Sequence, residues 1–122
     1  MLGCSTSYSQ MELTTFLDYG CYCGPGPYDG SNPRPKDAAD RCCKKHDDCF
    51  GKFRIVEKCK DNPKYKSYAW QCINGKALCS YYANNSYCAK KTCGCDQKFA
   101  KCMKRVRIQW KYKKLSKLKC VK

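Results

Sequence analysis

The chain has 122 residues, a length that suits one small domain and not two. Apolar residues make up 43% and mean hydropathy is −0.75, which excludes a large oily core and leaves the 14 cysteines to supply covalent staples. The formal charge of +15 is lopsided: residues 1–61 hold nine bases and nine acids, whereas residues 62–122 hold sixteen bases and one acid, Asp96.

Cysteine at this density points to an oxidising compartment, so a secreted, extracellular protein is expected. No apolar run approaches the roughly 18 residues that a membrane span needs. Met1-Leu2-Gly3-Cys4 leads straight into polar residues, so no signal peptide is expected in this numbering. The basic second half suits an anionic phospholipid membrane surface or heparin-like polyanions. Nucleic acid is disfavoured, because no reading module accompanies the charge.

In chain order, residues 24–36 come first as an irregular loop, since four prolines and three glycines remove donors and break regular angles. Long loops in compact domains tend to be functional. Asp37 then fits the N-cap of a helix, with Ala38 and Ala39 as good formers and Gly51 as a stop. Residues Ser67–Ile73 and Ala77–Tyr82 flank Asn74-Gly75, a tight-hairpin signal. A second helix fits from about Ser86 to Val106. The segment 107–122 follows neither period and is expected to be irregular.

Cysteine spacing relates the two helices. Cys42 and Cys49 are seven apart, on one helix face and about 10 Å apart along the axis. Cys95 and Cys102 repeat that spacing. Pairing Cys49 with Cys95 and Cys42 with Cys102 gives equal residue sums, as antiparallel helices bridged at two levels require. Spacing alone does not fix the connectivity, since fourteen cysteines allow roughly 135,000 pairings. This pairing is geometrically cheap, and it sets His46 nearly level with Asp96.

His46 is the sole histidine. Its i±3 and i±4 neighbours include Cys42, Cys43 and Cys49, so it shares the stapled face. An imidazole on a rigid inward face, met by a carboxylate from the facing helix, has the parts of a general base and its orienter. Asp47 points about 100° away around the helix, since a turn takes about 3.6 residues. It is free to face the Gly-Pro loop, where carbonyls tied by Cys21 and Cys23 suit a calcium ion. The blander alternative makes Asp47 and Asp48 solvated helix acids. Zinc is excluded by the single histidine and the number of paired cysteines.

The segment Tyr19-Gly-Cys-Tyr-Cys-Gly-Pro-Gly26, followed by Asp37-Ala-Ala-Asp-Arg-Cys-Cys-Lys-Lys-His-Asp-Asp-Cys-Phe50, resembles secreted phospholipase A2. Cys93-Gly-Cys-Asp96 with Cys102 resembles the same family's second long helix. Cys4 and Cys72 make the chain similar to the pancreatic and elapid type. The resemblance implies a small, disulfide-rich, mainly α fold: two long antiparallel helices cross-linked by disulfides, a calcium-binding loop and a short antiparallel β-hairpin. It implies one domain over residues 1–122, with a first helix shorter than the family's. It also implies bridges Cys4–Cys72, Cys21–Cys120, Cys23–Cys43, Cys42–Cys102, Cys49–Cys95, Cys59–Cys88 and Cys79–Cys93.

Carried over by position, the carbonyls of Tyr22, Gly24 and Gly26 and the carboxylate of Asp47 would hold Ca2+. His46 would activate a water against the sn-2 ester of a glycerophospholipid. Asp96 would orient it, the Gly24 amide would help the oxyanion, and Tyr68 would hydrogen-bond the aspartate. Phe50 stands where the family usually has a second tyrosine, Pro27 replaces a glycine, and the loop to Cys42 is longer. Trp110 and Tyr112, interleaved with lysines, suit a headgroup zone. The alternative is a non-enzymatic cationic, membrane-active or receptor-binding toxin on the same scaffold. Asn84-Asn85-Ser86 is a glycosylation pattern.

Overall fold

The computed structural model describes residues 2–5, 18–24, 33–52, 70–79, 87–115 and 120. The elements are α1 (Leu2–Ser5), α2 (Ala38–Lys52), β1 (Trp70–Ile73), β2 (Lys76–Cys79) and α3 (Tyr87–Met103), then a 3₁₀ turn at Trp110–Tyr112.

Asp37 caps α2 as its residue type predicts. Its Oδ1 accepts the Asp40 amide at 2.8 Å, satisfying a donor that the first helical turn leaves orphaned. The helix runs through Gly51 to Lys52 rather than stopping at the glycine. Helix α3 ends three residues before the expected Val106. There Arg105 N donates to Cys102 O and Val106 N to Met103 O, shorter-range bonds that tighten and close the last turn.

Two bridges join the long helices at two levels. Cys42–Cys102 and Cys49–Cys95 have Cα separations of 5.7 and 5.8 Å, and the order along α2 reverses along α3, so the helices are antiparallel. The core beside them is small and rich in sulfur: Tyr19, Cys23, Ala39, Cys42, Cys43 and Met103 are buried. Cross-links substitute for the apolar area so short a chain lacks.

Cys4–Cys72 ties α1 to β1, and Cys79–Cys93 ties β2 to α3. Cys23–Cys43 and Cys21–Cys120 anchor the loop before α2. Cys88 is also disulfide-bonded, while its expected partner Cys59 lies outside the described residues. The six bridges seen are the expected ones.

Asn74 and Gly75 both have positive φ, 52° and 73°, the mirror-image turn whose twist matches a two-residue hairpin. Ile73 therefore pairs with Lys76, and β2 begins one residue before the expected Ala77. The outer ends expected for both strands, 67–69 and 80–82, lie outside the described residues, as does the glycosylation pattern at Asn84. Residues 107–115 carry more order than expected. Tyr19 bridges Lys113, Gly20 N donates to Tyr112 O at 2.9 Å, and Lys114 N donates to Asp18 O at 2.9 Å.

Candidate active site and metal loop

Helix α2 places His46 on the stapled face, one turn from Cys42 and just short of a turn from Cys49. Helix α3 places Asp96 beside Cys95. Fixing those cysteines to each other brings the two side chains together: His46 Nε2 lies 2.6 Å from Asp96 Oδ1, as residue levels on the paired helices predict. Both side chains are about three-quarters buried, at 21% and 25% exposure, which limits competition from water.

An ionised carboxylate only accepts, so this contact requires the proton on Nε2 and leaves the Nδ1 lone pair free. The ring is held from two further sides. Phe99 stacks on it with centroids 4.5 Å apart and planes 22° apart, and Phe50 meets it at 4.5 Å and 56°. Phe50 thus packs on the imidazole. A cavity of about 130 Å³ beside His46 is floored by the bridging cysteines and walled by Lys45, Lys98 and Phe99.

The loop side is built around a residue that spacing gave no role. Asp40 is fully buried in the first turn of α2. Its carboxylate accepts the amides of Cys21 at 2.9 Å, Tyr22 at 2.8 Å and Lys36 at 2.9 Å. Gly20 lets it approach: at φ +57°, an added Cβ would sit 2.4 Å from Asp40 Cγ. The available signal was Asp37-x-x-Asp40 itself. The first acid caps the helix, and the second reaches back to the loop.

Tyr19 locks the other flank. Its hydroxyl donates to Asp37 Oδ2 and accepts the Gln109 amide at 2.9 Å. Burial, and after it the hydrogen bond to Asp37, pushes this phenol well above its ordinary range. Burial also raises the Tyr22 hydroxyl, which donates to Pro33 O at 2.7 Å. The Lys44 ammonium lies 5.7 Å from the Tyr22 ring centroid and pairs with Asp48 at 2.9 Å, an acid exposed on α2. That hydrogen bond raises the lysine above its usual value.

Of the expected metal ligands, Tyr22, Gly24 and Asp47 are described. Asp47 is exposed on α2. Gly24 has φ 86°, a backbone state that glycine adopts without strain. Cys23 N donates inward to Tyr19 O at 3.1 Å, so the Tyr22 carbonyl, opposite it in the same trans peptide plane, faces out of the turn. Among the described residues no three His, Cys, Asp or Glu side chains gather, so a metal here must draw on backbone carbonyls. The donor set is all oxygen, which fits a hard cation such as calcium. Gly26 and Tyr68 lie outside the described residues.

A family model described as phospholipase A2 matches residues 1–116. The chain belongs to the phospholipase A2 family. An acidic phospholipase A2 of Micrurus dumerilii is 43% identical over 102 residues, covering 84% of this chain and 78% of the relative. An acidic phospholipase A2 of Bungarus fasciatus is 39% identical, covering 87% and 72%. A phospholipase A2 of Bos taurus is 37% identical over 123 residues, covering 98% and 80%. This phospholipase A2 family member therefore has relatives of both the elapid and the mammalian kind, as Cys4 and Cys72 imply. No helix among its described residues is long and apolar enough to cross a membrane.

Proposed function

We propose that this chain is a secreted, calcium-dependent phospholipase A2 that hydrolyses the sn-2 ester of glycerophospholipids at a membrane interface. The observation that carries the reading is the 2.6 Å contact between His46 Nε2 and Asp96 Oδ1.

With its far nitrogen occupied, His46 takes a proton at Nδ1 from a water that attacks the sn-2 carbonyl carbon. Asp96 stabilises the imidazolium, and the Phe99 and Phe50 rings hold its plane. On collapse of the tetrahedral species, His46 returns the proton to the departing glycerol oxygen, giving a fatty acid and a lysophospholipid. Positioned acid–base catalysis of this kind contributes about 10²–10⁴-fold. The Gly24 amide is the proposed backbone donor to the oxyanion, an interaction commonly worth roughly 3–4 kcal/mol.

Calcium would be held by the carbonyls of Tyr22, Gly24 and Gly26 and by the Asp47 carboxylate, and when bound it supplies Lewis-acid stabilisation of negative charge on the ester oxygen. Asp40 fixes the Cys21 and Tyr22 amides, and so sets the backbone from which two of those carbonyls project.

Fatty-acid release from phosphatidylglycerol vesicles by the oxidised chain, with calcium and with chelator, tests this. Release in calcium that stops in chelator is expected. Equal rates in both would remove the metal from the reaction, and no release from any lipid would remove the enzyme.

A second reading, membrane engagement independent of hydrolysis, draws on the tail. Trp110 is half exposed with the Lys113 ammonium 5.4 Å from its ring centroid, and Lys111 lies 5.1 Å from that of Tyr112. Aromatic rings beside cations suit the headgroup layer of an anionic leaflet. His46→Gln is expected to keep vesicle binding while losing release.

A further inference from the structure

Among the described residues two polar side chains are fully buried, Asp40 and Thr92. Asp40 bonds three loop amides. Thr92 Oγ1, on α3, bonds nothing, and it is the sole buried side-chain oxygen or nitrogen among the described residues left so. A helical threonine commonly gives its hydroxyl to the carbonyl three or four residues back, and this one does not. An unmet buried hydroxyl is costly, and proteins satisfy such groups with a polar neighbour or an internal water.

The helix pairing identifies the neighbour. Thr92 precedes Asp96 by four residues, one turn along the same face of α3. On α2, His46 precedes Phe50 by the same interval. The helices are antiparallel, so Thr92 stands across from Phe50 as Asp96 stands across from His46, one turn further along. The Phe50 ring packs on the imidazole at 4.5 Å and carries no oxygen or nitrogen. Cys95, on the same face of α3, is committed to its bridge with Cys49. The Asp96 carboxylate is the side-chain acceptor within a turn of the hydroxyl. A carboxylate has about four lone-pair positions, so it accepts a second donor beside His46 Nε2. Side-chain roots one turn apart lie about 5–6 Å from each other, a gap that one water closes.

We infer that Thr92 is a positioning residue for the candidate catalytic pair: its hydroxyl donates, through one internal water, to the Asp96 carboxylate. The terminal torsion of an aspartate is broad, and a second bond on the far side of the carboxylate narrows it. The 2.6 Å contact then keeps its aim while His46 gains and returns a proton. The inference rests on the phospholipase reading only for the task it gives that pair.

Thr92→Val, which keeps the shape and removes the hydroxyl, is compared with Thr92→Ser, which keeps the hydroxyl. In the oxidised, calcium-loaded chain the single histidine gives one Nε2 proton resonance. That resonance is expected to shift in Thr92→Val and to return in Thr92→Ser. On phosphatidylglycerol vesicles at saturating calcium, kcat should fall about fivefold in the valine variant, the scale of one net hydrogen bond, with KM unchanged. Serine should restore it. A crystal structure of the wild type should place a water within hydrogen-bond distance of Thr92 Oγ1 and an Asp96 carboxylate oxygen. An idle hydroxyl would overturn the inference, and Thr92→Val would then melt higher with resonance and kcat unchanged. Equal losses in both variants would overturn it in favour of packing. So would a wild-type Oγ1 bonded to the Cys88 carbonyl. Should no lipid be hydrolysed, the phospholipase proposal fails, while the resonance, read without substrate, still decides the role of Thr92.

Discussion

The two sides of the candidate site are held by different physics. The His46–Asp96 side is covalent: bridges at Cys42–Cys102 and Cys49–Cys95 clamp two rigid helices above and below the contact. The loop side is bridged at Cys21 and Cys23, but its backbone path is set by hydrogen bonds to the buried Asp40 carboxylate and by the Tyr19 hydroxyl between Asp37 and Gln109. A base that must meet one acid at one distance gains from rigid rods. A loop that must turn carbonyls toward an ion needs its amides tied back, which a single carboxylate does.

Perturbations should separate the two sides. The largest effect is expected for His46→Gln, which keeps ring-sized volume but removes the base. Fatty-acid release should fall about 10³-fold with melting little changed, since general-base terms run about 10²–10⁴. Unaltered release would take His46 out of the chemistry.

Breaking Cys49–Cys95 by double substitution to alanine should cost about 3 kcal/mol in denaturant unfolding, the usual scale for a native bridge. It should lower kcat more than it weakens calcium binding. Asp40→Asn should do the opposite. It retains volume but loses the charge that three amides bond, at about 2–3 kcal/mol of stability, and calcium affinity should drop more than kcat at saturating calcium. If both variants shift kcat and calcium affinity alike, the two sides are one unit.

The smallest effect concerns Tyr19. Tyr19→Phe should lose about 1 kcal/mol at neutral pH through its two hydrogen bonds. The phenol's folded pKa is raised above its ordinary 10.0 by burial and then by Asp37. Its contribution is therefore complete below that value and is lost as pH rises above it, because the unfolded chain releases the proton first. Wild-type melting should accordingly fall faster than that of Tyr19→Phe above pH 10. Parallel curves would contradict the assignment.

What was legible in the sequence follows the same division. Seven-residue cysteine spacing on two helices levels His46 with Asp96 once Cys42 is paired with Cys102 and Cys49 with Cys95, because helical rise is fixed and a disulfide permits little slack; spacing favoured that pairing without fixing it. Asn74-Gly75 announced its turn and Asp37 its cap, both local rules. Asp40 was not legible as the loop's anchor, since its partners Cys21 and Tyr22 are nineteen and eighteen residues away and no short-range pattern links them. The Tyr19–Gln109 bond spans ninety residues and is equally silent. The tail was expected to be irregular because its order comes from pairing with residues 18–20 and not from its own periodicity.

The single histidine makes the decisive measurement clean. In nitrogen-15 NMR of the oxidised, calcium-loaded chain near neutral pH, one imidazole gives the only histidine ring signals. A proton on Nε2 with an unprotonated Nδ1, lost as a preference in Asp96→Asn, is the expected result. A neutral ring carrying its proton on Nδ1, or a tautomer indifferent to Asp96, would contradict the proposed base.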